Sequence, residues 1–279
     1  MNPFTRLLPS ALFFALVAVF PAAGTVDRTL ERSFNVAPGS IVKVDITGGP
    51  ITATVGPAGT VQLTLKQEIR AGSETEANDL LAHFEIAATQ QGEEVRLTAR
   101  MKEKLGWLHQ WGNAVRFSAV LTVPANVRLD LDTSGGSIKV NGETTAALRA
   151  DTSGGSITVD GGSGDLNLDT SGGGIKVGRA LGKLRADTSG GSITVGYVGA
   201  TVTDVNLATS GGSISCGVDP AARLNLAADT SGGSVQVEGL PFEAHSREHS
   251  HASGKINGGG APLRADTSGG SIVIHGAAS

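Results

Sequence analysis

One tetrapeptide constrains this chain more than any other feature. Thr-Ser-Gly-Gly occurs seven times, beginning at Thr133, Thr152, Thr170, Thr188, Thr209, Thr230 and Thr267. Six copies are preceded by aspartate (Asp132, Asp151, Asp169, Asp187, Asp229 and Asp266), and the remaining one by Ala208. Successive preceding positions lie 19, 18, 18, 21, 21 and 37 residues apart. Near-identical units at such a period mark a chain built by stacking rather than from unlike elements. The last gap leaves room for a worn copy, and His251-Ala252-Ser253-Gly254-Lys255-Ile256 reads as one that has lost a glycine. Asp45-Ile46-Thr47-Gly48-Gly49-Pro50-Ile51 reads as an isolated early one.

Period-two alternation decides which side chains of a unit point inward. Three residues and one residue before the aspartate position are apolar in every copy (Leu148 and Ala150 in one). So are those six and eight residues after it (Ile157 and Val159), with Cys216 filling the last place once. Each unit is therefore two short strands with one buried face, joined at a Gly-Gly corner. In a β-solenoid that corner is an arc between two parallel sheets. In a hairpin meander it is a type I′ turn, which would set Thr152 opposite Ile157. Units this alike, with length variation confined to one link, favour the solenoid. The corner glycines are then expected at positive φ on every rung.

The flanking regions read differently. Arg6, an apolar run over residues 7–20 and Ala22-Ala23-Gly24 have the layout of a secretory leader, which assigns residues 1–24 to a signal peptide, with an uncleaved anchor as the alternative. Residues 25–126 form a β-rich region with one helix, predicted by the capping box Ser73-Glu74-Thr75-Glu76 and by Ala77, Leu80, Leu81 and Phe84 at helical spacing. Strand-like runs fall at 41–46, 61–69, 95–99 and 115–123. A solenoid end leaves unpaired backbone, so this region is expected to cap the repeat domain, residues 127–279. The fold class is all-β with a minor α component.

Composition narrows the function classes. The chain has one cysteine among 279 residues, which excludes a disulfide framework and cysteine-rich zinc modules. With 22 basic against 26 acidic side chains there is no basic field for nucleic acid. No segment after the leader is apolar enough to span a membrane.

These residues resemble a family of exported bacterial β-strand-repeat proteins of undetermined function, labelled "putative adhesins". The resemblance rests on the helix before a strand pair, the run Ala119-Val120-Leu121-Thr122-Val123-Pro124 leading into the first repeat, and the recurrent L-x-x-x-T-S-x-G-x-I-x-V. It implies a right-handed β-helix-like stack and supplies no catalytic residues.

Several constellations invite chemistry. Asp-Thr-Ser-Gly is similar to the activating loop of aspartic proteases, but a proton-sharing dyad needs a pair of carboxylates and not a ladder. The aspartates point outward by parity, and stacking brings them to about 4.8 Å. They must be solvated, paired or bound to a cation such as calcium. Arg149, Arg185, Arg264, Lys139 and Lys176 are the candidate partners. Gly161-Gly162-Ser163-Gly164-Asp165 approaches a calcium nonapeptide with its aspartate one place early, and reads as a flexible return link. His245, His249 and His251 beside Glu243 and Glu248 read as a polar loop, with a metal site as the alternative. Cys216 reads as a small core residue. Trp107 and Trp111, within a segment 101–113 that breaks every pattern, either seal the stack or form an aromatic platform for a partner protein or glycan.

The reading is of a noncatalytic exported module of the cell envelope, periplasmic, surface-bound or secreted, needing no cofactor. It is adhesin-like, presenting an extended repeat surface to an envelope protein or glycan. The alternatives are a structural or regulatory component of an envelope-stress system and a polysaccharide-acting β-helix enzyme.

Overall fold

A computed structural model describes residues 24–102 and 114–277. The predicted leader, except Gly24, and the pair Trp107 and Trp111 lie outside the described residues.

The chain begins with β1 (Thr25–Asn35), β2 (Ile41–Ile46), β3 (Ile51–Gly56) and β4 (Thr60–Arg70). Then come α1 (Glu74–Ala82), β5 (Phe84–Gln91), β6 (Glu94–Met101) and β7 (Val115–Pro124). The repeats supply strand pairs, each spanning one Gly-Gly corner. These are β8 (Arg128–Thr133) with β9 (Ile138–Thr144), β10 (Leu148–Thr152) with β11 (Ile157–Gly162), and β12 (Leu166–Thr170) with β13 (Ile175–Ala180). They continue as β14 (Leu184–Thr188) with β15 (Ile193–Val198), β16 (Val205–Thr209) with β17 (Ile214–Val218), and β18 (Leu224–Thr230) with β19 (Val235–Glu238). After β20 (Phe242–Arg247) and β21 (His251–Ile256), the final pair is β22 (Ala261–Thr267) with β23 (Ile272–Gly276).

The strands form two sheets, ordered β1-β4-β7-β3-β9-β11-β13-β15-β17-β23-β19 and β20-β21-β18-β22-β16-β14-β12-β10-β8-β2-β6-β5. Repeat strands pair in parallel and in register, Leu148 with Leu166 and Ile157 with Ile175. The fold is therefore a β-solenoid, not the hairpin meander. Parity holds along the stack: Leu148, Ala150, Ile157 and Val159 are at most 1% exposed, as are their counterparts Leu184, Ala186, Ile193 and Val195. Between two sheets about 10 Å apart, aliphatic side chains of this size interdigitate. Cys216 is wholly buried in line with Val195 and Ile274, and burial pushes its thiol up to about 12, so it is a core residue.

The early copy is a rung. β2 pairs in parallel with β8, Asp45 beside Asp132, and β3 with β9, Ile51 beside Ile138. Beyond it β6 and β7 add a further parallel pair, and antiparallel β5, β4 and β1 close this end. Helix α1 contacts β4 of one sheet and β5 of the other. Its cap is as the sequence predicts, the Ser73 hydroxyl accepting from the Glu76 amide at 3.2 Å. Phe84 begins β5 instead of ending the helix.

Three expectations are corrected. The segment 251–256 is not a worn rung. It pairs antiparallel with β18 and with β20, because without a Gly-Gly corner the chain turns back on itself. The last rung, β22 with β23, then enters between β16/β17 and β18/β19. The corner glycines do not adopt positive φ, apart from Gly48 in the early rung. They are needed for the spacing between adjacent rungs. A Cβ on the second glycine of any repeat corner would stand 2.0–2.2 Å from the carbonyl oxygen of the adjacent rung's corner. Finally, the link at 161–165 is no loose spacer, since a Cβ on Gly164 would meet the Ala146 carbonyl at 2.3 Å.

The threonine of each repeat explains itself in the same contact. Each hydroxyl is buried and donates to the second-glycine carbonyl of the neighbouring corner: Thr152 to Gly136 at 2.8 Å, Thr188 to Gly173 at 2.7 Å, Thr209 to Gly191 at 2.7 Å. In several rungs it also accepts from its own second glycine, Gly191 N–H to Thr188 at 3.3 Å. One hydroxyl thus satisfies a donor and an acceptor that the corner leaves open. Thr188→Val keeps the shape and strands both groups, so it is expected to cost about 1–3 kcal/mol, read by chemical denaturation. Thr188→Ser should recover most of the loss.

Candidate functional site

The outer face of the second sheet carries the aspartates as a continuous column. Register runs Asp45, Asp132, Asp151, Asp169, Asp187, Ala208, Asp266, Asp229, following the spatial and not the sequential order of the rungs. Beside it the corner serines, Ser153, Ser171, Ser189 and their counterparts, are all exposed. Asp169, Asp187, Asp266 and Asp229 with the adjoining threonines and serines line an open trough of about 630 Å³, to which Arg185 adds one positive charge.

Pairing accounts for part of the column. Arg149 reaches both Asp151 at 3.0 Å and Asp130 at 3.2 Å, and Arg185 lies 2.8 Å from Asp187. Arg100 pairs with Asp45, and His251 with Asp229 at 2.6 Å. Three expected partners go elsewhere. Arg264 approaches Asp204 at 3.6 Å. Lys139 and Lys176 stand on the other sheet, because seven residues past the aspartate the chain has already turned the corner. These pairs are exposed enough that each contributes little to stability.

Where pairing is thin, the column is under electrostatic stress. Burial, and then the neighbouring Asp45 and Asp151, hold the Asp132 carboxyl above the ordinary aspartate range; burial and then Asp229 do the same to Asp266. A folded-state value above the unfolded one means that this contribution favours the fold most in acid and is lost as pH rises through the folded value. Asp132→Asn is therefore expected to raise the melting temperature at pH 7, with the gain vanishing near pH 3. A loss at pH 7 would contradict the ladder's repulsion.

The histidine-rich stretch does not converge. His245 is exposed where the β20–β21 pairing shifts register, His249 is exposed in the connecting turn, and His251 alone joins the column. Among the described residues no three His, Cys, Asp or Glu side chains are gathered as a metal would require. On the opposite sheet is a cluster that sequence reasoning missed. The Tyr197 hydroxyl donates to Asp219, and the Arg179 guanidinium lies 5.1 Å from the Tyr197 ring centre. The hydrogen bond to Asp219 holds the phenol above its usual range, and that from Tyr197 holds the carboxyl below its own. The only sequence signal was a lone tyrosine one repeat on from an arginine.

No helix among the described residues is long and apolar enough to cross a membrane. Solved structures resemble the chain distantly. A "putative cell adhesion protein" from Clostridium sporogenes ATCC 15579 is 11% identical over 89% of this chain and 99% of that one, with TM-score 0.35. A "putative adhesin" from Bacteroides fragilis NCTC 9343 is 13% identical over 89% and 97%, with TM-score 0.39. A "putative lipid binding protein" from Parabacteroides distasonis ATCC 8503 is 12% identical over 88% and 96%, with TM-score 0.40. No curated protein matches. A family model, described as Toastrack DUF4097, matches residues 123–275.

Proposed function

Because the chain belongs to the Toastrack DUF4097 family, we propose that its repeat stack is a contact surface: an exported, adhesin-like module of the cell envelope that holds a partner along its length. The observation that carries this reading is the open trough, with hydroxyls on every rung and a carboxylate on every rung but that of Ala208. Four aspartates against one arginine favour a polyhydroxylated or cationic partner, and an envelope glycan is the chemistry that fits best. Such a face binds by many weak polar contacts rather than through one deep pocket. Trp107 and Trp111, in the segment joining β6 to β7, add an aromatic platform suited to the same ligand.

The test is retention of the purified protein on isolated envelope polysaccharide. Combined Asp169→Asn, Asp187→Asn and Asp266→Asn substitutions should reduce retention at least about tenfold without lowering the melting temperature, as should Trp107→Ala with Trp111→Ala. Retention equal to wild type in both variants would overturn the proposal.

A further inference from the structure

The stack ends in an arrangement that its repeats do not contain. His251 Nδ1 lies 2.6 Å from Asp229 Oδ1, and His251 Nε2 lies 3.2 Å from Ser253 Oγ. Strand pairing produces this line. Asp229 faces His251 across the antiparallel β18–β21 ladder, and Ser253, two residues further along β21, falls on the same face. In the tautomer with the proton on Nδ1, the imidazole donates to the carboxylate and turns the Nε2 lone pair to the serine hydroxyl. We propose that Ser253, His251 and Asp229 form a nucleophile, base and orienting carboxylate that hydrolyses short-chain carboxylic esters at the end of the trough, sharing Asp229 with it.

The chemistry closes without a cofactor. Ser253 Oγ attacks the ester carbonyl while its proton passes to His251 Nε2. The tetrahedral intermediate collapses, the bond to the alcohol oxygen breaks, and Nε2 returns the proton to that alkoxide. Water then attacks the acyl-serine, giving its proton to Nε2. Collapse expels Ser253 Oγ, which takes the proton back, and the carboxylic acid leaves. Ser246 stands directly opposite Ser253 on β20, and directly opposed residues share a face with Cβ atoms about 4.5–5.5 Å apart. Its hydroxyl is the candidate donor to the oxyanion. Gly254 lets β20 approach this closely, since a Cβ there would meet the Glu243 carbonyl at 2.3 Å. Ser253 is half-buried on an open sheet face, which admits a small acyl group.

The corner serines are an internal control. They are exposed, at the corners of the stack. Full-length protein treated with a fluorophosphonate and mapped by mass spectrometry should carry the adduct on Ser253 at least about 100-fold faster than on any corner serine. Hydrolysis of p-nitrophenyl acetate should fall at least about 100-fold in Ser253→Ala and in His251→Gln, and measurably in Asp229→Asn, with Ser253→Ala melting as wild type does. Labelling spread evenly over the serines, or wild-type hydrolysis by Ser253→Ala, would overturn the proposal. Retention on envelope polysaccharide by Ser253→Ala should be unchanged, which separates this activity from binding.

Discussion

Gly155→Ala is expected to lower the melting temperature by roughly 10 °C, while Gly154→Ala, one residue away, changes it little. The two positions share a corner, and alanine removes the same chain entropy from the unfolded state at both. They differ in what a methyl group meets. At Gly155 the added Cβ would lie 2.1 Å from the Gly136 carbonyl oxygen, 2.3 Å from its carbon and 2.5 Å from the Ser137 nitrogen. All three are backbone atoms pinned by ladders on both sides. Relief requires separating two rungs, which puts the cost at the upper end of that for overpacked cores, about 3 kcal/mol, or some 6–12 °C in a chain of this size. At Gly154 the nearest atom is 3.4 Å away, an ordinary contact. Equal effects at the two sites, measured by calorimetry, would show that conformational freedom and not rung spacing selects the glycines.

Ile157→Arg is expected to abolish accumulation of folded protein, whereas Thr158→Glu should stay within about 0.5 kcal/mol of wild type. Ile157 is fully buried between the sheets and its neighbours in register are Ile138 and Ile175. A guanidinium there has no partner, and burying an unpaired charge costs more than a domain's whole stability margin. Thr158 points outward between Lys139 and Lys176 on the flanking strands. A carboxylate gains from both cations, and for the same reason Thr158→Lys should be mildly unfavourable. Soluble yield and denaturant midpoints check both. Similar damage at 157 and 158 would mean that the two faces are not distinguished.

The sequence states inward and outward positions plainly, because alternation is a local property. From it follow the core columns, the buried Cys216, the outward aspartates and the reality of the early rung at 45–51. Three kinds of information escaped it. The work of Thr188 and its counterparts depends on an oxygen in another rung, 15 residues back at Gly173, and no local pattern shows which neighbour a buried hydroxyl will meet. The choice of partner rung is non-local too, so the entry of β22 between β16 and β18 was hidden, as was the antiparallel course of β21. Edge strands such as β1, exposed along much of its length, lack the alternation that burial imposes. The relay at Asp229, His251 and Ser253 was illegible for the same reason: His251 and Ser253 were visible as neighbours, but their carboxylate is supplied by a strand 22 residues earlier.

The entry of the last rung between two earlier ones has a consequence for how the protein is made. A chain emerging from its N-terminus can lay down β8 to β17 rung upon rung as each is synthesised. The next pair differs: among the described strands, β18 and β19 are paired in the finished sheets only with strands made after them. Residues 224–256 must wait, held by the β18–β21 ladder, until the final strands arrive and slide home like a keystone. Assembly therefore concludes with a long-range closure whose rate is set by loop entropy and not by zipping.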